Sequence, residues 1–366
     1  MMLRQTVAAR PAPPRPGGIW GWARRELFGS WSGGLTTLAL LAWAAWSLPA
    51  LVDWALWHAV WAPDAEACHA ARGIGACWGV IAEKQRLILL GRYPQEQQWR
   101  PVLASALLLA LLVASGLRRC WNRWLLLAWA ALWPAFFALM AGGVAGWPAV
   151  PTERWGGLPL TLLLTTLSIG LACPLAVLLA LGRRSSLPAL RVLCGVYVEL
   201  VRGVPLISVL FMASFLFPLF LPVGATPDVL LRVLLGIALF AAAYLAETVR
   251  AGLQSVPVGQ LDAAASIGLG WWQTQRLVVL PQALAAVVPG LVNSFISIFK
   301  DSSLITIVSL YELTGSLGLA LSGDPVWRPF MIEGYCFITA IYFVVCAVMS
   351  RYSLWIEQRQ ARGQAL

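Results

Sequence analysis

Apolar residues dominate this chain in runs about as long as a bilayer is thick, and polar residues gather between the runs. A helix rises about 1.5 Å per residue, so about 20 apolar residues cross a hydrocarbon core. Stretches of that kind lie at 35–57, 101–117, 124–143, 159–182, 192–222, 229–249, 284–306 and 332–350. The run 192–222 is longer than one crossing needs, which predicts a tilted helix or one broken at Pro218. Lipid does not tolerate unpaired backbone, and runs this long do not suit barrel strands. The expected fold is therefore an all-α polytopic membrane protein with about eight transmembrane helices. Between 78 and 94, WGVIAEKQRLILLGRYP has helical periodicity with a polar side and predicts a helix lying along the membrane surface.

One polar interruption stands apart, at residues 262–281, DAAASIGLGWWQTQRLVVLP. Small side chains at Ala263, Ala264, Ala265 and Ser266 leave a helix surface that another protein can approach closely. Gly268 permits the backbone geometry that ends a helix and turns it. Pro281 starts a new helix well, because its missing N–H would be unpaired there anyway. Short helix, turn and second helix together make a docking knuckle.

This spacing resembles the E-A-A-x-x-x-G … I-x-L-P loop of ABC importer permeases, with Asp262 in the place of the Glu and Val278 in that of the Ile. The segments YVELVRGVPL (197–206), AAYLAETVRAGLQSVPVGQ (242–260) and SIFKDSSLITIVSLYELTG (297–315) look like the amino-acid branch of that family. The resemblance covers roughly 159–355. The long N-terminal extension and VRGVPLISVLFMASFLFPLFLP are similar to the M-type permease of general L-amino-acid importers. It implies a type I permease core of five helices plus a three-helix extension. It also implies four kinds of partner contact: a second, paralogous permease, two ATPase subunits, a periplasmic amino-acid-binding protein and the lipid bilayer. Asp262, Ala263, Ala264, Gly268 and Pro281 would then couple the chain to the ATPase.

Composition supports the membrane class independently: 60% of the 366 residues are hydrophobic and 11% charged, against about 25% charged in a soluble domain. The net charge of +10 is explained by its distribution. With a cytoplasmic N-terminus and alternating spans, Arg4, Arg10, Arg15, Arg24, Arg25, Arg118, Arg119, Arg123, Arg183, Arg184, Arg191, Arg250, Arg276, Arg351, Arg359 and Arg362 fall on the cytoplasmic side. Arg72, Lys84, Arg86, Arg92, Arg100, Arg154 and Arg328 fall on the other. That bias orients a bacterial inner-membrane protein with both termini inside and the knuckle facing the cytoplasm. The charge is thus a membrane signature, and no nucleic-acid partner is expected. The first residues, MMLRQTVAARPAPPRPGG, lack an apolar core and read as a basic tail rather than a signal peptide. Most of the twenty Trp residues suit interfacial anchoring.

The expected organisation is a cytoplasmic basic tail (1–34), an extension with three spans (35–157) and a periplasmic loop at 58–100, a permease core (158–355) with a coupling loop at 251–283, and a cytoplasmic tail (356–366). The Gly/Pro-rich stretch 142–157 marks the joint. Cys68 and Cys77 share the external loop, where a disulfide is permitted, although two free thiols are equally compatible with the sequence. The two histidines, His58 and His69, have no ligand cluster around them, so no metal site is expected.

Charges inside a span cost about 2.5–3.5 kcal/mol each and mark candidate functional sites. Glu199 and Arg202 lie three apart and can pair on one helix face, beside a break at Gly203 and Pro205. Lys300, Asp301, Ser302 and Ser303 interrupt an apolar run, with Asn293 and Ser297 one and two turns earlier. An amino acid needs a partner for its carboxylate, one for its ammonium and hydroxyls in place of water. These residues supply all three, and the resemblance puts the matching stretch beside a central cavity. A purely structural ion pair is the alternative at both places. Glu247 and Arg250 end a span and are expected to serve the approach to the knuckle.

Nothing in the sequence makes an enzyme. There is no GxxxxGK[ST] phosphate loop, so no cofactor is expected in this chain, and ATP and Mg would be bound by the partner ATPase. Two other readings of the same residues are an ion-coupled secondary transporter, with Lys300 and Asp301 as the coupling pair, and a non-transporting membrane scaffold.

Overall fold

The computed structural model describes residues 18–144, 146–222 and 224–361, so most of the basic tail, with Arg4, Arg10 and Arg15, and the end of the C-terminal tail, with Arg362, lie outside them. Helices account for the fold; among the described residues, β pairing is confined to two isolated bridges. The chain forms two compact units, 1–79 and 80–366.

The first unit holds the short helix α1 (Gly18–Glu26), the apolar helix α2 (Trp31–Val52) and α3 (Ala65–Ala70). Ser30 caps α2 by accepting from the Gly33 N–H at 3.1 Å. No residue of α2 is buried within the chain, as suits a helix whose solvent is lipid. Beyond it, Cys68 and Cys77 are joined as a disulfide, their Cα atoms 5.3 Å apart. Trp78 packs against Trp54 and Trp61 and donates to the Ala55 carbonyl at 2.8 Å.

The second unit contains α4 (Gly79–Leu90), α5 (Trp99–Gly116), α6 (Arg123–Ala141), α7 (Gly157–Gly182), α8 (Pro188–Gly203), α9 (Leu206–Phe211), α10 (Val229–Ser255), α11 (Val258–Ser266), α12 (Trp271–Thr274), α13 (Leu280–Asp301), α14 (Leu313–Ser322) and α15 (Met331–Ala361). Among the described residues seven helical segments are long and apolar enough to span a bilayer, and α8 with the helical stretch from Leu206 to Phe220 makes an eighth candidate bent by 104°. The break in the 192–222 run lies at Val204–Pro205, not at Pro218. Pro205 pushes Val204 out of the helical region (ψ 135°). Pro218 sits in the first turn of a 3-10 stretch, where a missing N–H costs nothing.

The joint expected at 142–157 lies inside this unit, because α5 and α6 share one apolar core with α7 and α10: Leu108, Phe136, Leu163 and Leu245 all belong to it. Arg100 is buried and donates to the carbonyls of Leu139 (2.7 Å) and Pro148 (3.1 Å). Beside it the Tyr93 hydroxyl donates to Met140 O at 2.9 Å. Together they satisfy the open carbonyl end of α6.

α10 is the central helix, its most apolar window 61% buried, and its Ala238, Ala241, Ala242, Ala243 and Ala246 let neighbours approach closely. It runs parallel to α7. Thr152, just before α7, donates to Asp228 at the start of α10 (2.6 Å), and Arg183 at the end of α7 reaches Glu247 near the end of α10 (2.7 Å). Two parallel spans require the chain between them to recross the bilayer, so the bent α8–α9 segment is one crossing. α13 runs antiparallel to α10, with Gly252 against Ala283 and Gly290 against Thr248.

Candidate functional site

The knuckle is built from two short helices at the shared end of α10 and α13. Pro257, extended at ψ 141°, closes α10 and starts α11. Gly268 ends α11 in the left-handed region (φ +79°), and its N–H donates to Ala265 O at 3.0 Å while Leu269 N–H reaches Ala264 O at 3.1 Å. Those bonds close the carbonyl end of the helix in the manner that favours glycine. Gly270 and Gln273 then cap α12, the side-chain oxygen of Gln273 accepting from Gly270 N–H at 3.0 Å.

Asp262 and Ala263 are exposed on α11, whereas Ala264 is buried and turns toward the bundle. Ala264 therefore packs the knuckle onto its own chain and is not part of the surface offered outward. That surface carries large apolar side chains among polar ones: Val258, Ile267, Trp271 and Trp272 are exposed, Ile267 by 75% and Trp272 by 70%, as are Gln260, Asp262, Gln273 and Arg276. Pro281 stands in the first turn of α13, the place expected of it, but no break precedes that helix. Helical structure runs continuously from Trp271, and a wider turn over Gln275–Val279, with Leu280 N–H bonded to Gln275 O, absorbs the proline.

Above the knuckle lies an ion network centred on Glu247. Its Oε2 accepts from Arg183 Nη1 at 2.7 Å and lies 3.8 Å from Arg202 Nη1, while Oε1 accepts from Arg250. Glu199 also pairs with Arg183, at 3.4 Å. Glu199 and Arg202 thus do not pair with each other, as the sequence suggested; each faces a different member of the network. Arg202 also lies over the ring of Tyr244, 5.5 Å from its centre. Arg183 was not singled out by sequence, since its partner is 64 residues away on another span. Glu247 and Arg250 belong to this hub, near the end of α10 that leads into the knuckle.

Along α13, Asn293, Ser297 and Lys300 form one exposed stripe at helical spacing. Among the described residues, neither Lys300 nor Asp301 has an ion-pair partner within 4.0 Å. Asp301 and Ser303 are half-buried beside the stripe, and Ser303 donates to Lys300 O at 2.8 Å. Ser302 does not share the face: it is buried and donates to Phe299 O at 2.7 Å. The two polar groups are also not neighbours. Glu247 is level with Gly290, where Thr248 touches α13, and Lys300 lies ten residues farther, about 15 Å at 1.5 Å per residue.

One buried acid went unremarked in the sequence. Glu312, fully buried, caps α14 by accepting from Gly315 N–H at 2.9 Å, and it also accepts from Thr306 (3.2 Å), Tyr342 (2.9 Å) and Thr161 (3.5 Å). It ties the 3-10 stretch Ser302–Val308 to α7, α14 and α15. Its only sequence signal is an acidic residue directly before a short apolar run, the usual position of a helix cap. Among the described residues no group of three or more His, Cys, Asp or Glu is arranged to hold a metal ion.

Residues 172–362 match the family described as binding-protein-dependent transport system inner membrane component. The chain is 44% identical over 361 residues to the inner membrane amino-acid ABC transporter permease protein YhdY of Escherichia coli K12, covering 96% of this chain and 97% of that protein. It is 34% identical to the glutamate/glutamine/aspartate/asparagine transport system permease protein BztC of Rhodobacter capsulatus, covering 98% and 97% respectively. A solved chain from "an amino acid ABC transporter with histidines" matches 54% of this chain and 90% of its own, with 31% identity and a TM-score of 0.48.

Proposed function

This chain belongs to the family of binding-protein-dependent transport system inner membrane components, and we propose that it forms, with a second and paralogous permease, a path for L-amino acids from periplasm to cytoplasm. It is a multi-pass inner-membrane permease subunit of an amino-acid ABC importer, and ATP hydrolysis belongs to a separate subunit. The family implies an ATPase and a solute-binding protein as partners. In our reading two ATPase copies bind ATP and Mg, and one docks on the knuckle. The observation that carries this is the exposure of four large apolar side chains, Val258, Ile267, Trp271 and Trp272, on the knuckle that Gly268 turns at the shared end of α10 and α13. Such a patch at the edge of a bilayer needs a protein cover.

The same geometry supports a cytoplasmic knuckle and a cytoplasmic end of α15, and we infer a cytoplasmic N-terminus from the arginines of the basic tail. Arg119, Arg123, Arg183, Arg184, Arg191, Arg250, Arg276, Arg351 and Arg359 gather at the knuckle end of the second unit, as the positive-inside rule requires of the cytoplasmic face. The stripe of Asn293, Ser297 and Lys300 would line the path facing the second permease, because such residues are costly against lipid. An unpaired Lys300 offers a contact for a solute carboxylate. Docking of an ATP-bound partner would shift the spans between outward- and inward-facing states.

The experiment is uptake by the complex reconstituted in vesicles. Amino-acid accumulation that requires ATP and binding protein and withstands a protonophore is expected; accumulation abolished by the protonophore would replace this reading with ion-coupled transport.

A further inference from the structure

The stretch 84–92 of the extension meets both ends of one short helix in the permease core. Lys84, on α4, donates from Nζ to Asp324 Oδ2 at 2.7 Å, with its own neighbour Glu83 farther away at 3.9 Å. Asp324 lies two residues past the end of α14. Arg92, two residues past the end of α4, donates to Glu153 O at 2.8 Å and lies 5.2 Å from the ring centre of Tyr311. Tyr311 lies two residues before the start of α14. A single run of nine residues therefore places one cation at each end of the same helix.

The contact is close at the backbone as well. A Cβ on Gly91 would stand 2.5 Å from the Cα of Gly156, and one on Gly157 would stand 2.1 Å from Leu89 O. No side chain fits between the two strands of chain, so the extension rests directly on the start of α7. Gly157 N–H in turn donates to Tyr311 O at 2.9 Å. α14 itself has ten residues, too few to cross a bilayer at about 1.5 Å each. It lies at the end of the bundle opposite the knuckle, with Glu312 holding it from the inside. The carboxyl of Asp324 is held below the usual aspartate range, chiefly by the bond from Lys84.

We propose that Lys84 and Arg92 are positioning residues for α14, which closes the outer mouth of the transport path, so that the N-terminal extension sets how readily that mouth opens. The proposal rests on the transport reading above for the identity of the mouth. Neither cation belongs to the polar stripe of α13; both act through the helix they bracket. A single partly exposed ion pair and one cation–ring contact are weak enough to break without unfolding the chain. A binding protein arriving from that side would then work against a defined restraint.

The test uses the full chain assembled with its partner permease, ATPase and binding protein in proteoliposomes. Lys84→Met combined with Arg92→Gln is expected to raise hydrolysis in the absence of binding protein by at least about fivefold, the lower end for coupled sites, and to lower the solute moved per ATP. The exchange of Lys84→Asp with Asp324→Lys is expected to restore the Lys84→Met component of both readouts, which a general loss of packing would not allow. Bridging Lys84→Cys to Asp324→Cys with a short bifunctional thiol reagent is expected to cut uptake by at least about fivefold. Unchanged coupling in the double variant, no restoration by the exchange in an assembled complex, or full uptake after bridging would each overturn the proposal. Absence of ATP-driven uptake by the wild-type complex would instead overturn the transport reading, and this proposal with it.

Discussion

Arg183 and Glu247, on two parallel spans, meet in a 2.7 Å charge-assisted hydrogen bond, and Glu247 is the one acid to which Arg183, Arg202 and Arg250 all turn. The pair ties the end of α7 to α10 eight residues before α10 itself ends at Ser255. It also gathers the end of α8, just before the break at Pro205, into the same cluster.

Replacing Glu247 by Gln should leave three arginines clustered with only the exposed Glu199, paired to Arg183, as a counter-charge. We expect a loss of about 2 kcal/mol in stability, the range for hydrogen bonds to charged groups, read as a lower melting temperature of the purified complex. Arg183→Met added to Glu247→Gln should recover part of that loss, since two arginines rather than three then face the uncharged side chain.

Gly268→Ala should weaken the knuckle by about 1–2 kcal/mol, because a Cβ opposes the left-handed backbone even though open space surrounds the site. Its expected signature is reduced ATP-driven uptake with normal membrane insertion. Gly268→Trp and Asp262→Lys, which also alter the outward surface, should abolish uptake, and ATPase pull-down would report the lost contact.

Sidedness is open to direct labelling. A cysteine introduced at Ser255 should react with an impermeant thiol reagent only from the cytoplasmic side. Cys68 and Cys77, joined in a disulfide, should react only after reduction and only from the periplasmic side. Reaction of Ser255→Cys from outside intact spheroplasts would invert the proposed topology.

Glu312→Leu should cost about 3 kcal/mol or more, since the Tyr342 and Thr306 hydroxyls and the Gly315 N–H would lose the acceptor they share in a dry interior. Glu312→Gln keeps an acceptor for the Gly315 N–H and should cost less. Thermal unfolding in detergent distinguishes the two.

The Lys84–Asp324 bond has a defined acid limit. Because Asp324 ionises below its ordinary value when folded, its contribution is complete above the unfolded value of about 3.9 and is lost as pH falls through the lower folded one. Melting temperature should be indifferent to this pair near neutrality and should fall in strong acid; Asp324→Asn should remove that part of the acid dependence.

The spans were legible because each is a long apolar run, and the knuckle because small residues, Gly268 and a charge break such a run. The proline signals needed tertiary context. Pro205 breaks a helix where Val204 is forced to extend, Pro218 falls harmlessly in a first turn, and Pro281 is absorbed by one wide turn of an otherwise continuous helix. The Glu247 hub was hidden because Arg183 and Arg202 lie on other elements, and local spacing favoured Glu199 with Arg202 instead. Ser302 looked like part of a polar quartet, yet its 100° step from each neighbour turns it into the bundle. Glu312 was silent for the same reason as the hub: its donors come from α7, a 3-10 stretch and α15.

The parallel run of α7 and α10 also dictates the order in which the newly made chain can settle. When α7 enters the membrane, α5 and α6 are already made, but its Ser168, Ala172 and Ala176 face still lacks its principal partner, α10, which has not yet been synthesised. The next segment to insert is the bent α8–α9 crossing, which must return to the far side before α10 can start level with α7. The bundle is thus assembled by insertion first and pairing later, and its centre closes only once synthesis has passed Ser255.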